Sequence, residues 1–430
     1  MLIEFTVKNY RSIKDEVKLS LVANTAQEKK ETNLIPPRGD DYFNFPLLRS
    51  VAIFGPNAAG KSNLIRALYT MRKIIVLSGD RLENIPVTPY QFCSDFKNKP
   101  TTFEIIGIVD QMRFQYGFSV TKDIVTNEWL YTWPHGRQQR WFERTTSKSN
   151  EVECKYSDKL SGDKEVWRRA TRPNALLLST AITLNSKQLY PIFNWFQEKL
   201  HVGGIGGWGR KYTTEWCEND RKDEIVNFLR SADFAVENIH ILKHDFKPDE
   251  FPSDMPSGIK NVLIEQYSGK EINEWLVSHK TSEGHSIELN LDDESDGTQK
   301  IFEFAAPWKH TLESGHIIVY DELHEHLHPL LLKFLIEQFH DLDTNKHNAQ
   351  LIFSTHDTSV LSQEIFRRDQ IWFCNRNKIQ ATELFPLRKY SPRKDYENLA
   401  RSYLGGRYGA LPFPKGILMG QNCKMFFHDT

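Results

Sequence analysis

Gly55-Pro56-Asn57-Ala58-Ala59-Gly60-Lys61-Ser62 is the stretch on which the fold turns. It fits G-x-x-x-x-G-K-[ST], a loop whose glycines let the backbone turn tightly and point its N–H groups at a phosphate. Ser50–Phe54 ahead of it is a short, uninterrupted apolar run, the pattern of a strand buried on both faces of a parallel sheet. Behind it, from Ser62 to about Val76, Leu64, Ile65, Leu68, Met71, Ile74 and Ile75 recur at helical spacing. Strand, loop and helix therefore stand in the order that a phosphate-binding loop requires. The loop and Asn63 after it are the expected nucleotide-binding residues: Lys61 to reach the β- and γ-phosphates of ATP, and the Ser62 hydroxyl to ligate Mg²⁺.

Two further runs end in chemistry. His316-Ile317-Ile318-Val319-Tyr320-Asp321-Glu322 is an apolar strand that delivers two acids at its carboxyl end. Asp321 is placed to hold Mg²⁺ and Glu322 to orient an attacking water as a base. Gln350-Leu351-Ile352-Phe353-Ser354-Thr355-His356 is a second buried strand, ending in a small polar pair and a histidine that reaches toward a γ-phosphate.

The rest of the chain narrows the class. It has 430 residues, 39% hydrophobic and 26% charged, with 27 Phe, 15 Tyr and 10 Trp, enough to bury a large core and exclude wholesale disorder. A formal net charge of -1 leaves no global field to attract nucleic acid or membrane. No apolar run approaches the ~18 residues of a membrane span, and the start reads as a strand, so the expected location is cytoplasmic with no membrane contact. Five scattered cysteines without a CxxC pair argue against a disulfide framework or a zinc cage.

Alternating patterns predict strands near residues 2–7 and 17–21, and again over 101–109, 113–120 and 128–133, with Asp110-Gln111 as a hairpin tip. Helices are expected over 298–309 and 329–339, and amphipathic segments at about 187–200 and 219–231. This divides the chain into an N-terminal ATPase part (1–80), an antiparallel strand lobe (81–135), an inserted α/β lobe with short helices (136–284), a C-terminal ATPase part (285–385) and a basic tail (386–430).

The ordered set of P-loop, Asp-Glu strand and strand-then-histidine resembles the ABC-type ATPase core shared by SMC-like and RecF-like proteins. The resemblance implies an α/β fold: a P-loop NTPase of ABC-ATPase type, split in sequence, with an inserted strand-and-helix lobe. That family carries a signature segment before the Asp-Glu strand, and Glu294-Ser295-Asp296-Gly297-Thr298-Gln299-Lys300 is a variant of it. Ser295, Asp296, Gly297 and Gln299 are thereby implied to contact ATP in trans, on the other protomer of a homodimer or higher homo-oligomer. Asn9-Tyr10-Arg11-Ser12-Ile13-Lys14-Asp15, Leu327-His328-Pro329, Ser354-Thr355-His356-Asp357 and Gly405–Ala410 are closer still to one branch. They resemble the RloA/AbiL-like and PARIS AriA-like ATPases of anti-phage defence, over about residues 1–130 and 285–412. By that resemblance Arg11 and Ser12 approach the base or ribose, His356 is a switch histidine, and a Q-loop glutamine, for which Gln91 is the candidate, touches Mg²⁺. It also implies a separate effector of TOPRIM-nuclease type. The alternative is a RecF/SMC-like DNA-binding repair ATPase without an effector. A self-contained nuclease is disfavoured, because the 74 residues after His356 hold no Asp-x-Asp pair.

Two features invite other readings. His324-Glu325-His326-Leu327-His328 contains H-E-x-x-H, but Pro329 follows at once and the acids precede, so a D-loop against the opposite protomer is the expected role. Residues 386–415 carry a local charge of +5 with tyrosines 390, 396, 403 and 408 interleaved. Contact with nucleic acid or an acidic partner, and a solvated tail packing its tyrosines on the core, both remain open there.

Overall fold

The computed structural model describes residues 1–37, 43–79, 84–147, 151–203, 210–246, 255–269, 271–394 and 396–412. Its strands are β1 (Leu2–Lys8), β2 (Val17–Ser20), β3 (Leu34–Ile35), β4 (Leu47–Leu48), β5 (Ser50–Phe54), β6 (Thr101–Val109), β7 (Met112–Val120), β8 (Val125–Trp133) and β9 (Gln139–Thr146). They continue as β10 (Val152–Tyr156), β11 (Leu200–Gly203), β12 (Asn238–Asp245), β13 (Glu271–Lys280), β14 (Ser286–Asn290), β15 (Ile317–Tyr320), β16 (Gln350–Thr355), β17 (Ile371–Arg376) and β18 (Thr382–Pro386). The protein is a mixed α/β fold whose glycine loop joins a parallel strand to a helix, split in sequence as expected.

The central sheet has the order β11-β15-β16-β5-β17-β18. Its pairs are parallel except β17–β18, which is antiparallel. Because successive strand residues face opposite ways, an all-apolar strand serves two cores. Val51 and Ile53 of β5 join a cluster with Leu64, Leu68 and Met71 of the P-loop helix, Lys61–Leu77, and with Phe103 and Phe114 of the antiparallel sheet. Ala52 and Phe54 face the other way, onto Phe302, Phe304 and Trp308 of the signature helix, Asp296–Ser314, and onto Leu335 and Phe339 of helix Pro329–His340. Fully burying one such side chain contributes roughly 1.5–3 kcal/mol.

A second, seven-stranded antiparallel sheet runs β10-β9-β8-β7-β6-β1-β2. The hairpin tip at Asp110 and Gln111 has both residues at positive φ (45° and 64°), the conformation of a tight turn matched to strand twist. Two of the sequence-based boundaries are corrected here. The division at 135/136 cuts this sheet, because β9 and β10 continue it. The 136–284 lobe is not separate from the ATPase core either, since β11 pairs in parallel with β15. The join is reinforced at Glu128 of β8, wholly buried, which accepts the N–H groups of Leu177 and Leu178 at 2.7 and 3.0 Å and the Tyr116 hydroxyl at 2.9 Å. Arg144 lies 3.6 Å from it.

Within the basic tail most of the tyrosines pack on the core. Tyr403 and Tyr408 are buried and stack on Phe373, and Tyr390 packs edge-on against Phe385. Only Tyr396, among those four, projects into solvent, 92% exposed. Lys415 lies outside the described residues. Among the described residues no helix is long and apolar enough to cross a membrane.

Candidate functional site

The site is built where three parallel strands end. β5 runs into the glycine loop, β15 into Asp321-Glu322, and β16 into His356. β16 lies between the other two, so the acids reach the loop across it. Gly55 (φ 154°), Ala58 (φ 64°) and Gly60 (φ 109°) bend the loop into a concave backbone turn of the kind that gathers N–H groups on an anion. Glycine is required at both ends. A Cβ on Gly55 would stand 2.3 Å from the Cys374 carbonyl oxygen, and one on Gly60 would stand 2.0 Å from Thr382 Oγ1.

The loop is held from both ends of the chain. The Ser12 and Thr382 hydroxyls are 2.7 Å apart, Asn63 donates to Ser12 Oγ at 2.7 Å, and Thr382 donates to the Ala59 carbonyl at 3.1 Å. Ser12 is thus brought to the loop, in contact with its helix.

Lys61 is 3% exposed and its ammonium donates to the carbonyls of Gly55 (2.9 Å) and Pro56 (3.3 Å). Its Nζ lies 3.6 Å from Glu322 Oε1. The other carboxylate oxygen of Glu322 lies 3.2 Å from His356 Nδ1 and 3.5 Å from His324 Nε2. The two imidazoles close the group at 3.1 Å between their Nε2 atoms. Burial, then the neighbouring His356, pushes His324 below the usual histidine range, against the pull of Glu322. An open cleft of about 470 Å³ is lined by Ser12, Asn57–Asn63, Glu322, His356 and Arg376.

Ser354 organises the acids. Its hydroxyl binds both Asp321 and the backbone of Glu322, which sits at φ 54° and so turns away from the strand. A hydroxyl (Ser62) and a carboxylate (Asp321) are hard oxygen donors of the kind Mg²⁺ takes, so the residues present fit that ion.

Other expected residues lie elsewhere. Gln91 is exposed and folds its amide onto the Pro89 carbonyl at 2.8 Å, and Arg11, also exposed, covers the Tyr10 ring at 5.7 Å. Neither lines the cleft. The signature residues do not line it either. Ser295 is the exposed N-cap of its helix and accepts Thr298 N–H at 3.2 Å, while Asp296 lies 3.3 Å from His326. The Gln299 amide is spent on the carbonyls of Asp292 and Glu294. The H-E-x-x-H spacing does not assemble as such: His328 Nδ1 caps helix Pro329–His340 by accepting Leu330 N–H, and His324 joins Glu322 and His356 instead.

Sequence reasoning missed Arg376, Thr382 and His324 as parts of the site. Ile371-Trp372-Phe373-Cys374 is an apolar run that marks β17, and Arg376 follows from it. For Thr382 no local signal exists.

A family model described as "AAA domain, putative AbiEii toxin, Type IV TA system" matches residues 50–362. The chain belongs to this family. The matched span of this AAA domain takes in the glycine loop, Asp321-Glu322, Ser354 and His356, whereas Ser12, Arg376 and Thr382 lie outside it. No curated protein matches significantly. Similar solved structures include the SMC head domain from Thermotoga maritima, at 13% identity over 90% of this chain and 98% of that one, TM-score 0.40. The recombination mediator RecF of the RecFOR pathway, in its ATPrS form, is 13% identical over 90% and 98%, TM-score 0.34. CbiO1 from Clostridium perfringens, part of an ABC transporter complex, is 8% identical over 94% and 96%, TM-score 0.32.

Proposed function

We propose that this AAA-domain protein is an ATP-hydrolysing molecular switch that closes head to tail as a homodimer around two nucleotides. The observation that carries the reading is the position of Glu322, whose carboxylate meets Lys61 at 3.6 Å and His356 at 3.2 Å in the cleft of the glycine loop. In this reading the loop N–H groups and Lys61 hold the phosphates of ATP, and Glu322 takes a proton from the attacking water. His356 stays beside the γ-phosphate, where it senses the bond that breaks. Mg²⁺, held by Ser62 and Asp321, would neutralise charge on the transferring phosphate. Gln91 could join that ion only after a rearrangement of its loop. Ser295 and Gly297 are accessible yet outside the cleft, so they are available to the phosphate bound by a second copy. ATP then bridges two faces and hydrolysis releases them.

The switch is assigned to anti-phage defence, as the sensor and scaffold for a separate effector of TOPRIM-nuclease type. The family description, a toxin of a toxin–antitoxin system, supports that setting. The second reading, a DNA-binding repair ATPase of RecF/SMC type, draws on the cationic surface of Arg388, Lys389, Arg393 and Lys394.

The test is Glu322→Gln, which keeps size and hydrogen-bonding reach but cannot accept a proton at neutral pH. Phosphate release should fall by roughly 10²–10⁴. Light scattering should show an ATP-dependent doubling of mass that persists. Near-normal turnover would remove Glu322 as the base, and no ATP-dependent gain in mass from a monomeric sample would remove the sandwich. Mass spectrometry of what co-purifies with the trapped form separates a nuclease partner from DNA-stimulated turnover alone.

A further inference from the structure

At the opposite end of β15 from Asp321 and Glu322, three histidines converge. His316 immediately precedes β15, His201 lies on the neighbouring β11, and His310 lies near the carboxyl end of the signature helix. His201 Nε2 and His316 Nδ1 are 3.1 Å apart, and one ring nitrogen from each of the three lies within 4.8 Å of the others. The ring centroids of His310 and His316 are 5.0 Å apart and those of His201 and His316 5.2 Å.

We propose that His201, His310 and His316 bind a divalent transition-metal ion of the zinc class. Nitrogens about 2.0–2.1 Å from a zinc ion stand about 3.3–3.4 Å apart at the corners of a tetrahedron. The His201–His316 pair is already near that separation, and only His310 has to swing inward. The chemistry of the donors agrees. Burial, and then the proximity of the other rings and of Arg72 and Lys199, holds His201 and His316 well below the usual histidine range. Burial thus favours the neutral imidazole at all three positions, the form that ligates metal. His201 also hydrogen-bonds the Glu198 backbone carbonyl, the type of outer contact that orients a metal-binding imidazole. At His310 burial, and then Arg221, disfavour the charged ring, against the opposing pull of Glu313 and Glu198. Arg72, whose charge acts on His201, is turned onto the Phe196 and Gln197 carbonyls at 2.8 Å. Three imidazoles leave a fourth corner for water or one of these carboxylates.

The site would staple the end of the signature helix to the strand that leads into Asp321, through residues that no part of the nucleotide cleft uses. Its existence does not depend on the proposed ATPase cycle, and it is read without nucleotide. The full chain, stripped with a chelator and dialysed, is titrated with Zn²⁺ under calorimetry and with Co²⁺ under visible absorption. One ion per chain is expected, with the intense absorption of tetrahedral Co²⁺, and a rise in melting temperature on adding Zn²⁺. In His310→Ala and in His316→Asn both the absorption and the Zn²⁺-dependent rise should disappear, while circular dichroism shows each variant folded. His310, half-exposed on a helix, is the substitution least able to disturb the core. Absence of binding by the unaltered chain would overturn the proposal. So would binding that survives His310→Ala and is lost in His324→Ala, because the ion would then belong to the Glu322–His324–His356 group.

Discussion

The Ser354 hydroxyl donates to Asp321 Oδ1 at 2.6 Å while accepting the backbone N–H of Glu322 at 2.9 Å. One side chain on β16 thereby fixes both acids at the end of β15, and does so fully buried. Ser354→Ala leaves the part-buried Glu322 N–H and an Asp321 carboxylate oxygen without that partner. A loss of about 1–3 kcal/mol is expected, read as a lower melting temperature, together with slower hydrolysis at near-normal ATP affinity. An unchanged melting curve would show that the hydroxyl is incidental.

Gly60→Ala tests the loop. The residue is at φ 109° and an added Cβ would meet Thr382 Oγ1 at 2.0 Å. Strain of about 1–3 kcal/mol is expected, with nucleotide affinity lost because the turn must open. Full ATP binding by calorimetry would contradict the cradle geometry. Thr382→Ala in the same background should recover part of the stability, since it removes the atom that is struck.

Lys61→Ala should abolish nucleotide binding. Because the ammonium also ties the loop to its own Gly55 and Pro56 carbonyls, the variant should melt slightly lower, with an unchanged far-ultraviolet spectrum. Retained ATP affinity would sink the assignment of the phosphate loop.

Ser295→Arg addresses the head-to-tail contact. Replacing an N-cap serine costs about 0.5–2 kcal/mol of helix stability, and the exposed cation occupies the space that an opposing γ-phosphate needs. ATP should still bind the monomer, but hydrolysis and ATP-dependent dimerisation should cease. Normal turnover would exclude the proposed dimer.

The elements around the chemistry were legible because each carries a strong local pattern. Uninterrupted apolar runs mark β5, β15 and β16, and the helical period after Lys61 is regular. The hairpin from Thr101 to Trp133 alternates cleanly. β11 was not legible as a sheet strand, since Leu200-His201-Val202-Gly203 is short and its pairing with β15 is decided over 100 residues away. The 135/136 boundary failed for a related reason. β9 carries charge on its outer face, so Gln139–Thr146 reads as polar although Trp141, Phe142 and Arg144 are buried. Glu128 shows the same limit: its partners Leu177, Leu178 and Arg144 are fixed by tertiary packing that no local pattern encodes. Ser12 and Thr382 reach the loop by such long-range packing as well.

The Ser12–Thr382 clamp spans 370 positions, and the side chain of Gln350, 348 positions from Leu2, bonds that residue's N–H at 2.6 Å and its carbonyl at 3.1 Å. Contacts of such separation form late, because loop closure must precede any stabilisation they bring. During synthesis the glycine loop therefore emerges long before Thr382, the residue that steadies it. A nascent chain arrested before that point carries the whole phosphate-binding sequence without its support, so ATP affinity should appear only once the segment holding Thr382 has left the ribosome. Loading with nucleotide would then report that synthesis has passed Thr382.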